Sequence, residues 1–225
     1  METKFLRLVT LFATLQEPDL RRIARRMKRE HFPKDSLILM EADAGSSLFV
    51  IHTGRVKISR LSEDGREVIL AILKSGDFFG EMSLLDGQAR SANVMTIEDS
   101  EVLVLRREDF MELIMKYPQI SIHLLKALAH RLRQSDAQIK SLSLLNASSR
   151  VAAALLLYAE MTGIEEKNSI IIPSIPPQLE LASMAGTSRE TISRALRSFL
   201  RDGLMQREKS KLIIPDVNKF RKRYL

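Results

Sequence analysis

Residues 117–145 read YPQISIHLLKALAHRLRQSDAQIKSLSLL. After the opening Tyr117-Pro118 the stretch has no glycine, and its apolar residues recur. Leu125, Leu128, Leu132, Ile139 and Leu142 follow the a/d spacing of a two-stranded coiled coil. This predicts a long helix that pairs with a copy of itself. One rung is polar: position 135 is Ser135, followed by Asp136. A polar break in an apolar seam costs stability. Two readings stand side by side: the pair sets the register of a dimer, or it faces a bound polar ligand.

On the N-terminal side, residues 32–105 change to short runs of β-branched and apolar residues. These are Leu37–Met40, Leu48–Ile51, Val56–Leu61, Val68–Leu73, Ser91–Ile97 and Val102–Leu105. Turn signals separate them, including Asp43-Ala44-Gly45, Thr53-Gly54, Asp64-Gly65 and Ser75-Gly76-Asp77. Strands this short and regular predict an antiparallel barrel or roll, an architecture that can hold one small molecule. Residues 5–30 read as helix, with Leu8, Leu11, Leu15, Ile23 and Met27 on its apolar face and Pro18 at a helix start. The basic run Arg21 to Arg29 reads as a solvated face.

On the C-terminal side, Asn146 and Ser148 are good cap residues, so a new helix is expected over Ser149–Met161, ended by Gly163. Ile170–Ile172 reads as a strand. Pro177–Ala185 is a short helix, Gly186 a turn, and a second helix starts at Thr187, where Thr187-Ser188-Arg189-Glu190 has capping-box spacing. Ile192, Ala195, Leu196 and Phe199 give its buried face, with Arg189, Glu190, Ser193, Arg194 and Arg197 opposite. Two short helices around a glycine turn, the second studded with arginine, predict a helix-turn-helix. Met205–Glu208 and Leu212–Ile214 then form a hairpin, the wing. The expected class is α+β: an N-terminal antiparallel β-roll over 1–116, a long dimerisation helix over 117–145, and a winged helix-turn-helix over 146–225.

Composition narrows the function classes. The absence of cysteine excludes disulfides and thiolate-held iron–sulfur clusters. Charges scattered through Met1–Phe12 argue against a signal peptide, and the longest apolar stretch, Val151–Ala159, is too short to span a bilayer. A cytoplasmic protein without a membrane partner is expected. Of the net charge of +7, the residues from Ala147 onward carry 13 Lys and Arg against 8 Asp and Glu, and the rest 22 against 20. That excess points to a polyanion partner for the C-terminal part, or to a solvated basic surface. His31, His52, His123 and His130 have no metal-ligand spacing, so no metal is expected. No nucleophile–base–acid arrangement is readable, so the chain is not expected to be an enzyme.

Two motifs carry chemistry. The first runs Phe79-Gly80-Glu81-Met82-Ser83-Leu84-Leu85, then Asp86 to Ala89, then Arg90-Ser91-Ala92. Gly80 lets backbone approach something closely. Arg90 and Ser91 are able to hydrogen-bond a phosphate, and Glu81 to accept from a hydroxyl or pair with Arg90. A barrel turn with a surface salt bridge explains the same residues. The second is Ser188-Arg189-Glu190-Thr191-Ile192-Ser193-Arg194. Arginine reads guanine bidentately and glutamate accepts from cytosine.

The first motif resembles the phosphate-binding cassette of the Crp/Fnr family of bacterial regulators, to which the cyclic AMP receptor belongs: Phe-Gly-Glu, a Leu, a short loop, then Arg-Ser-Ala. The loop is slightly shorter than in the best-known member, and the similarity covers essentially the whole chain. The resemblance implies that Arg90 and Ser91 hold a cyclic phosphate, that Glu81 and the Gly80 backbone hold the ribose 2′-hydroxyl, and that Met82, Ser83 and Ala92 complete the cassette. Ile58 and Leu70 would line the apolar side, and Arg131 would reach Glu81. Ser135 and Asp136 align with the two hydroxyl residues that read the adenine amine. Here the second is a carboxylate, an acceptor that suits adenine's amine and also guanine's ring nitrogen and amine. The implied effector is cyclic AMP, with cyclic di-GMP the alternative, alongside a ligand-independent regulator. The resemblance further implies a homodimer on double-stranded DNA, an activator reading a two-fold TGTGA-type operator through Arg189, Glu190 and Arg194. Ser188 and Thr191 would contact phosphate beside Ser193, and the Glu165–Asn168 loop would meet RNA polymerase.

Overall fold

The computed structural model describes residues 2–175 and 177–225. The chain forms two compact units, one ending at Gln134 and the other beginning at Ser135.

The first unit opens with α1 (Glu2–Leu6), a 3-10 turn (Thr10–Phe12) and α2 (Glu17–Arg26), followed by β1 (Lys28–Phe32). The helix expected over 5–30 is therefore broken. Tight turns bury Val9, Leu11, Phe12 and Leu15 while Leu8 is left exposed, a burial pattern that one helical stripe does not give. Lys28–Phe32 pairs along its whole length with Ser100–Val104, and that ladder overrides the weak local preference of Lys-Arg-Glu.

The strands continue as β2 (Leu37–Leu39), β3 (Ser47–Thr53), β4 (Arg55–Leu61), β5 (Glu67–Lys74), β6 (Phe78–Phe79), β7 (Asn93–Thr96) and β8 (Ser100–Arg106). Among the described residues they form two antiparallel sheets, ordered β1-β8-β3-β6 and β2-β7-β4-β5, which is the expected roll. The short helix α3 (Met82–Asp86) lies between β6 and β7, and α4 (Arg107–Lys116) follows β8. Sequence reading did not find either helix.

The first sheet is covered on both faces. Leu48, Val50, Leu103 and Leu105 pack with Leu6, Phe12, Ile23 and Phe110 of the helices. Phe49, Ile51 and Val102 turn the other way, onto Val56, Leu73 and Val94 of the second sheet. This is why Leu48–Ile51 and Val102–Leu105 are continuous apolar runs rather than alternating ones. Each such side chain contributes about 1.5–3 kcal/mol by leaving water.

Helix α5 (Pro118–Leu144) is continuous. Ile120 and Leu124 bury themselves beside Phe110 and Leu113. Of the seam residues, Leu125 (64%), Leu132 (63%), Ile139 (62%) and Leu142 (53%) are exposed, whereas Leu128 is partly buried against the core of the first unit.

The second unit continues with α6 (Ala147–Thr162), whose first turn is capped by the Asn146 side chain accepting from the Ser149 N–H at 3.0 Å. Then come β9 (Ile164–Glu166), β10 (Ser169–Ile172), α7 (Gln178–Ala185), α8 (Arg189–Arg201), β11 (Gln206–Glu208), β12 (Lys211–Ile214) and α9 (Val217–Tyr224). The strands run β11-β12-β10-β9. Leu155, Ile172, Leu181, Ile192, Phe199, Ile214 and Phe220 form the core. No helix among the described residues is long and apolar enough to cross a membrane.

Candidate functional site

The cassette occupies the joint between β6, α3 and the approach to β7. Gly80 turns the chain at φ +82°, a left-handed conformation that glycine adopts without strain. A Cβ there would also lie 2.8 Å from Arg90 Nη1.

Arg90 points inward and is only 6% exposed. Its Nη1 donates to the Gly80 carbonyl at 2.6 Å and to Ser83 Oγ at 2.8 Å, and its Nη2 donates to the Ser47 carbonyl at 2.9 Å. A guanidinium has five N–H donors. These contacts account for both hydrogens of Nη1 and one of Nη2. One Nη2–H and the Nε–H are left, and Nε is buried without a hydrogen-bond partner. The backbone is pinned as well, since the Arg90 N–H donates to the Asp43 carbonyl at 2.8 Å and the Ala42 N–H to the Arg90 carbonyl at 2.9 Å. Burial pulls the Arg90 pKa below its usual value, and the Glu81 carboxylate opposes that pull. An arginine so placed stays cationic and attracts an anion.

Glu81 is 2% exposed. Its Oε1 accepts from Arg131 Nη1 at 2.7 Å, and its Oε2 is buried with no partner. Arg131 also donates to the Phe78 carbonyl at 2.5 Å, and its guanidinium lies 4.8 Å from the centre of the Phe78 ring. Glu81 therefore faces Arg131 directly, and its influence on Arg90 is through space.

The other residues expected at this site divide by exposure. Ser83 and Ala92 are buried; Met82, Leu70 and Ser91 are exposed, and Ile58 is partly buried. The Ser91 hydroxyl donates to Met82 Sδ at 3.6 Å. Ser135 and Asp136 are exposed on α5 and belong to the second unit. Sequence reading missed Gly45 in the β2–β3 loop and Ser47 at the start of β3, which the fold brings against Arg90.

In the second unit, Gly186 ends α7 at φ +58°, and α8 begins at Arg189. The cap is Ser188, whose Oγ accepts from the Thr191 N–H at 3.3 Å, rather than Thr187 as the capping-box spacing suggested. The cap thus sits one residue later than that spacing implies, and the Thr187 N–H is spent on the Ala182 carbonyl, closing α7. Ile192, Ala195, Leu196 and Phe199 are buried, as their spacing predicts. Ser188, Arg189, Glu190 and Arg194 are exposed, and Thr191 and Ser193 partly so. The Ser188 hydroxyl, then its own backbone N–H, Arg189 and Arg194 hold the Glu190 carboxyl below the usual carboxylate range. An ionised glutamate flanked by two arginines at a helix N-terminus presents one acceptor and two bidentate donors, a set suited to base edges. The hairpin of β11 and β12 places Arg207, Lys209 and Lys211 in the open, with Lys209 at φ +53° in its turn. No group of three or more His, Cys, Asp or Glu among the described residues is arranged to hold a metal ion.

A roll with a buried arginine cradle, followed by a winged helix-turn-helix, defines a class of DNA-binding regulator with a small-molecule domain. Residues 29–117 match the cyclic nucleotide-binding domain family, and residues 149–223 match the Crp-like helix-turn-helix domain family. The chain is 38% identical over 179 residues to a protein of Thermus thermophilus named cyclic AMP receptor protein, covering 80% of each. It is 30% identical over 213 residues, 95% of each, to a CRP-like cAMP-activated global transcriptional regulator of Mycobacterium tuberculosis. The crystal structure of the Thermus thermophilus catabolite activator protein superposes with a TM-score of 0.55 at 33% identity, covering 95% of this chain and 97% of that one. The chain belongs to the Crp/Fnr family of transcription regulators.

Proposed function

We propose that the protein is a homodimeric activator gated by cyclic AMP, with a ligand domain over 1–116, a dimerisation helix over 117–145 and a DNA-binding domain over 146–225. Arg90 and Ser91 hold the cyclic phosphate. Glu81 and the Gly80 backbone take the ribose 2′-hydroxyl, with Met82, Ser83 and Ala92 completing the cassette and Arg131 fixing Glu81. Ile58 and Leu70 line the apolar side, and Ser135 and Asp136 read the base. Two chains pair through Leu125, Leu132, Ile139 and Leu142, whose exposure in the single chain favours a partner helix. Ligand shifts the helix pair toward the arrangement in which two α8 helices sit roughly 34 Å apart, one DNA turn. Arg189, Glu190 and Arg194 then read a TGTGA-type half-site, with Ser188, Thr191 and Ser193 beside them at the backbone. The Glu165–Asn168 turn meets RNA polymerase.

The observation that carries this reading is the buried Arg90 with its partnerless Nε. Leaving a charged donor unsatisfied costs more than an ordinary lost hydrogen bond, and an anion seated there removes the cost. The similarity to a cyclic AMP receptor protein and to a cAMP-activated regulator favours cyclic AMP as that anion. The test is calorimetric titration with cyclic AMP, cyclic GMP and cyclic di-GMP, paired with operator retention. Cyclic AMP should bind and raise operator affinity, and Arg90→Ala should abolish that effect while sparing non-specific DNA affinity. Binding of cyclic di-GMP alone would reassign the effector. Equal operator binding with and without every nucleotide would remove the switch.

A further inference from the structure

Ser83 stands inside the cassette, and its sequence position invites a direct role in gripping the ligand. Its geometry gives it another task. The residue is 3% exposed, and its Oγ accepts from Arg90 Nη1 at 2.8 Å. The Gly80 and Ser47 carbonyls take two further guanidinium hydrogens. The two carbonyls are fixed by backbone, whereas the third acceptor exists only because position 83 carries a hydroxyl.

That hydroxyl needs room, and Gly45 supplies it. A Cβ at position 45 would lie 2.1 Å from Ser83 Oγ, 2.6 Å from Ser83 Cβ and 3.0 Å from Arg90 Cζ. Gly45 is not among the residues with positive φ, so its backbone does not require glycine. The space does. The loop carrying Gly45 is tied to Arg90 through Asp43 and Ala42, so it cannot simply swing away.

We propose that Ser83 is a positioning residue that acts through Arg90, and that Gly45 and Ser83 form an interlocked pair that sets which edge of the guanidinium meets the effector's phosphate. The inference rests on the phosphate-binding reading of Arg90. With both Nη1 hydrogens turned onto the Gly80 carbonyl and Ser83, the Nε–H and the remaining Nη2–H are the donors left for the anion. Nε and Nη2 are bonded to the same carbon of one planar group, and N–H donors paired on such a group match two oxygens of one phosphate. Without Ser83 Oγ, one Nη1–H loses its acceptor, the guanidinium gains freedom to rotate, and the pair of donors is no longer held in one orientation.

The experiment uses the full-length protein and cyclic AMP, with the two diastereomers of its phosphorothioate analogue, in which sulfur replaces one exocyclic oxygen or the other. Ser83→Ala should weaken cyclic AMP binding about tenfold, the effect of losing one charge-assisted hydrogen bond. It should also change the affinity ratio of the two diastereomers, which general destabilisation would not do. Gly45→Ala should weaken binding further than Ser83→Ala, because its Cβ displaces Ser83 and also approaches Arg90 Cζ at 3.0 Å. Adding Ser83→Gly to Gly45→Ala removes both clashing Ser83 atoms, so affinity should return to about the Ser83→Ala level and no higher, the hydroxyl still being absent. Adding Ser83→Ala instead should restore less, because the Cβ clash at 2.6 Å remains. Melting temperatures identify any variant that fails to fold, and the Ser83→Ala diastereomer ratio then decides. If Arg90→Ala binds cyclic AMP as the unaltered protein does, the phosphate-binding reading itself fails. If Arg90→Ala abolishes binding while Ser83→Ala leaves affinity and diastereomer ratio unchanged, only the positioning role is overturned.

Discussion

Replacing Arg131 by Met should destabilise the roll more than any conservative change at its partner. Arg131 and Glu81 form an ion pair at 2.7 Å in which the carboxylate is 3% and the guanidinium 29% exposed. Glu81 Oε2 already lacks a partner. Without Arg131 the carboxylate would have no hydrogen bond at all, with only the through-space attraction of Arg90 to offset its burial. Breaking a buried pair by removing one member costs about 3–5 kcal/mol, and the water that reaches Arg131 reduces this to about 2–3 kcal/mol. Glu81→Gln removes the charge but keeps a carbonyl acceptor for Arg131, so it should cost about 1 kcal/mol. The double variant buries no unpaired carboxylate. It should cost less than Arg131→Met alone, with a coupling of about 1–2 kcal/mol between the sites. Native-state hydrogen exchange at Val50 and Leu103, central in the first sheet, reports the opening of the roll directly. Protein concentration must be held fixed, since any pairing of chains feeds into apparent stability. Effects that add within about 0.5 kcal/mol would show that water, rather than Arg131, compensates Glu81.

Other consequences concern the second unit and the seam. Asp216 caps α9 by accepting from the Lys219 N–H at 2.8 Å, and that bond, followed by the Asn168 side chain, holds its carboxyl below the usual range. A depressed folded-state pKa means stability present above the unfolded value of about 3.9 and lost as pH falls through the folded one. Melting temperature should therefore drop on acidification below that value, and Asp216→Asn should flatten the drop. Arg189→Ala should relax base preference at one operator position by about 1–3 kcal/mol, whereas Lys209→Ala should weaken binding to all sequences and lower the salt slope by about one. Binding measured against a set of single-base operator variants at several salt concentrations separates the two. Leu132→Asp and Ile139→Asp place a charge on residues that are otherwise exposed apolar seam. Each should shift sedimentation toward the monomer and abolish operator binding, and unchanged sedimentation would dismiss the helix as the pairing element.

The roll was legible because its strands announce themselves twice, by β-branched runs and by glycine turns. The recognition helix was legible because Ile192, Ala195, Leu196 and Phe199 are spaced for one buried face. The failures have physical causes. Lys28–Phe32 has no apolar periodicity, because most of its side chains are exposed and it is held by backbone pairing to β8. Helix α4 carries only a short signal: Glu108 and Asp109 in its first turn, then Phe110 and Leu113 buried. Helix α9 had the Asp216 cap and Phe220, yet its basic last turn reads equally as a solvated tail.

The cassette shows how far a sequence can reveal a site. Phe79 to Ala92 is one continuous stretch, and its Gly, Glu and Arg are there for what their side chains, or the lack of one, can do. The surroundings of Arg90 are of another kind. Ser47 contributes its carbonyl, a group that every residue has, so no residue type at position 47 could have disclosed the contact. Gly45 contributes an absence, and in a chain it looks like a turn glycine, which is how Asp43-Ala44-Gly45 reads. Ser83 and Ser91 are chemically the same, yet one is buried under a guanidinium and the other is open to water. Their difference comes from α3, which turns Ser83 inward, and that helix has no side-chain cap to mark it. What holds the arginine is thus supplied by backbone and by space. Folding creates both, and composition records neither.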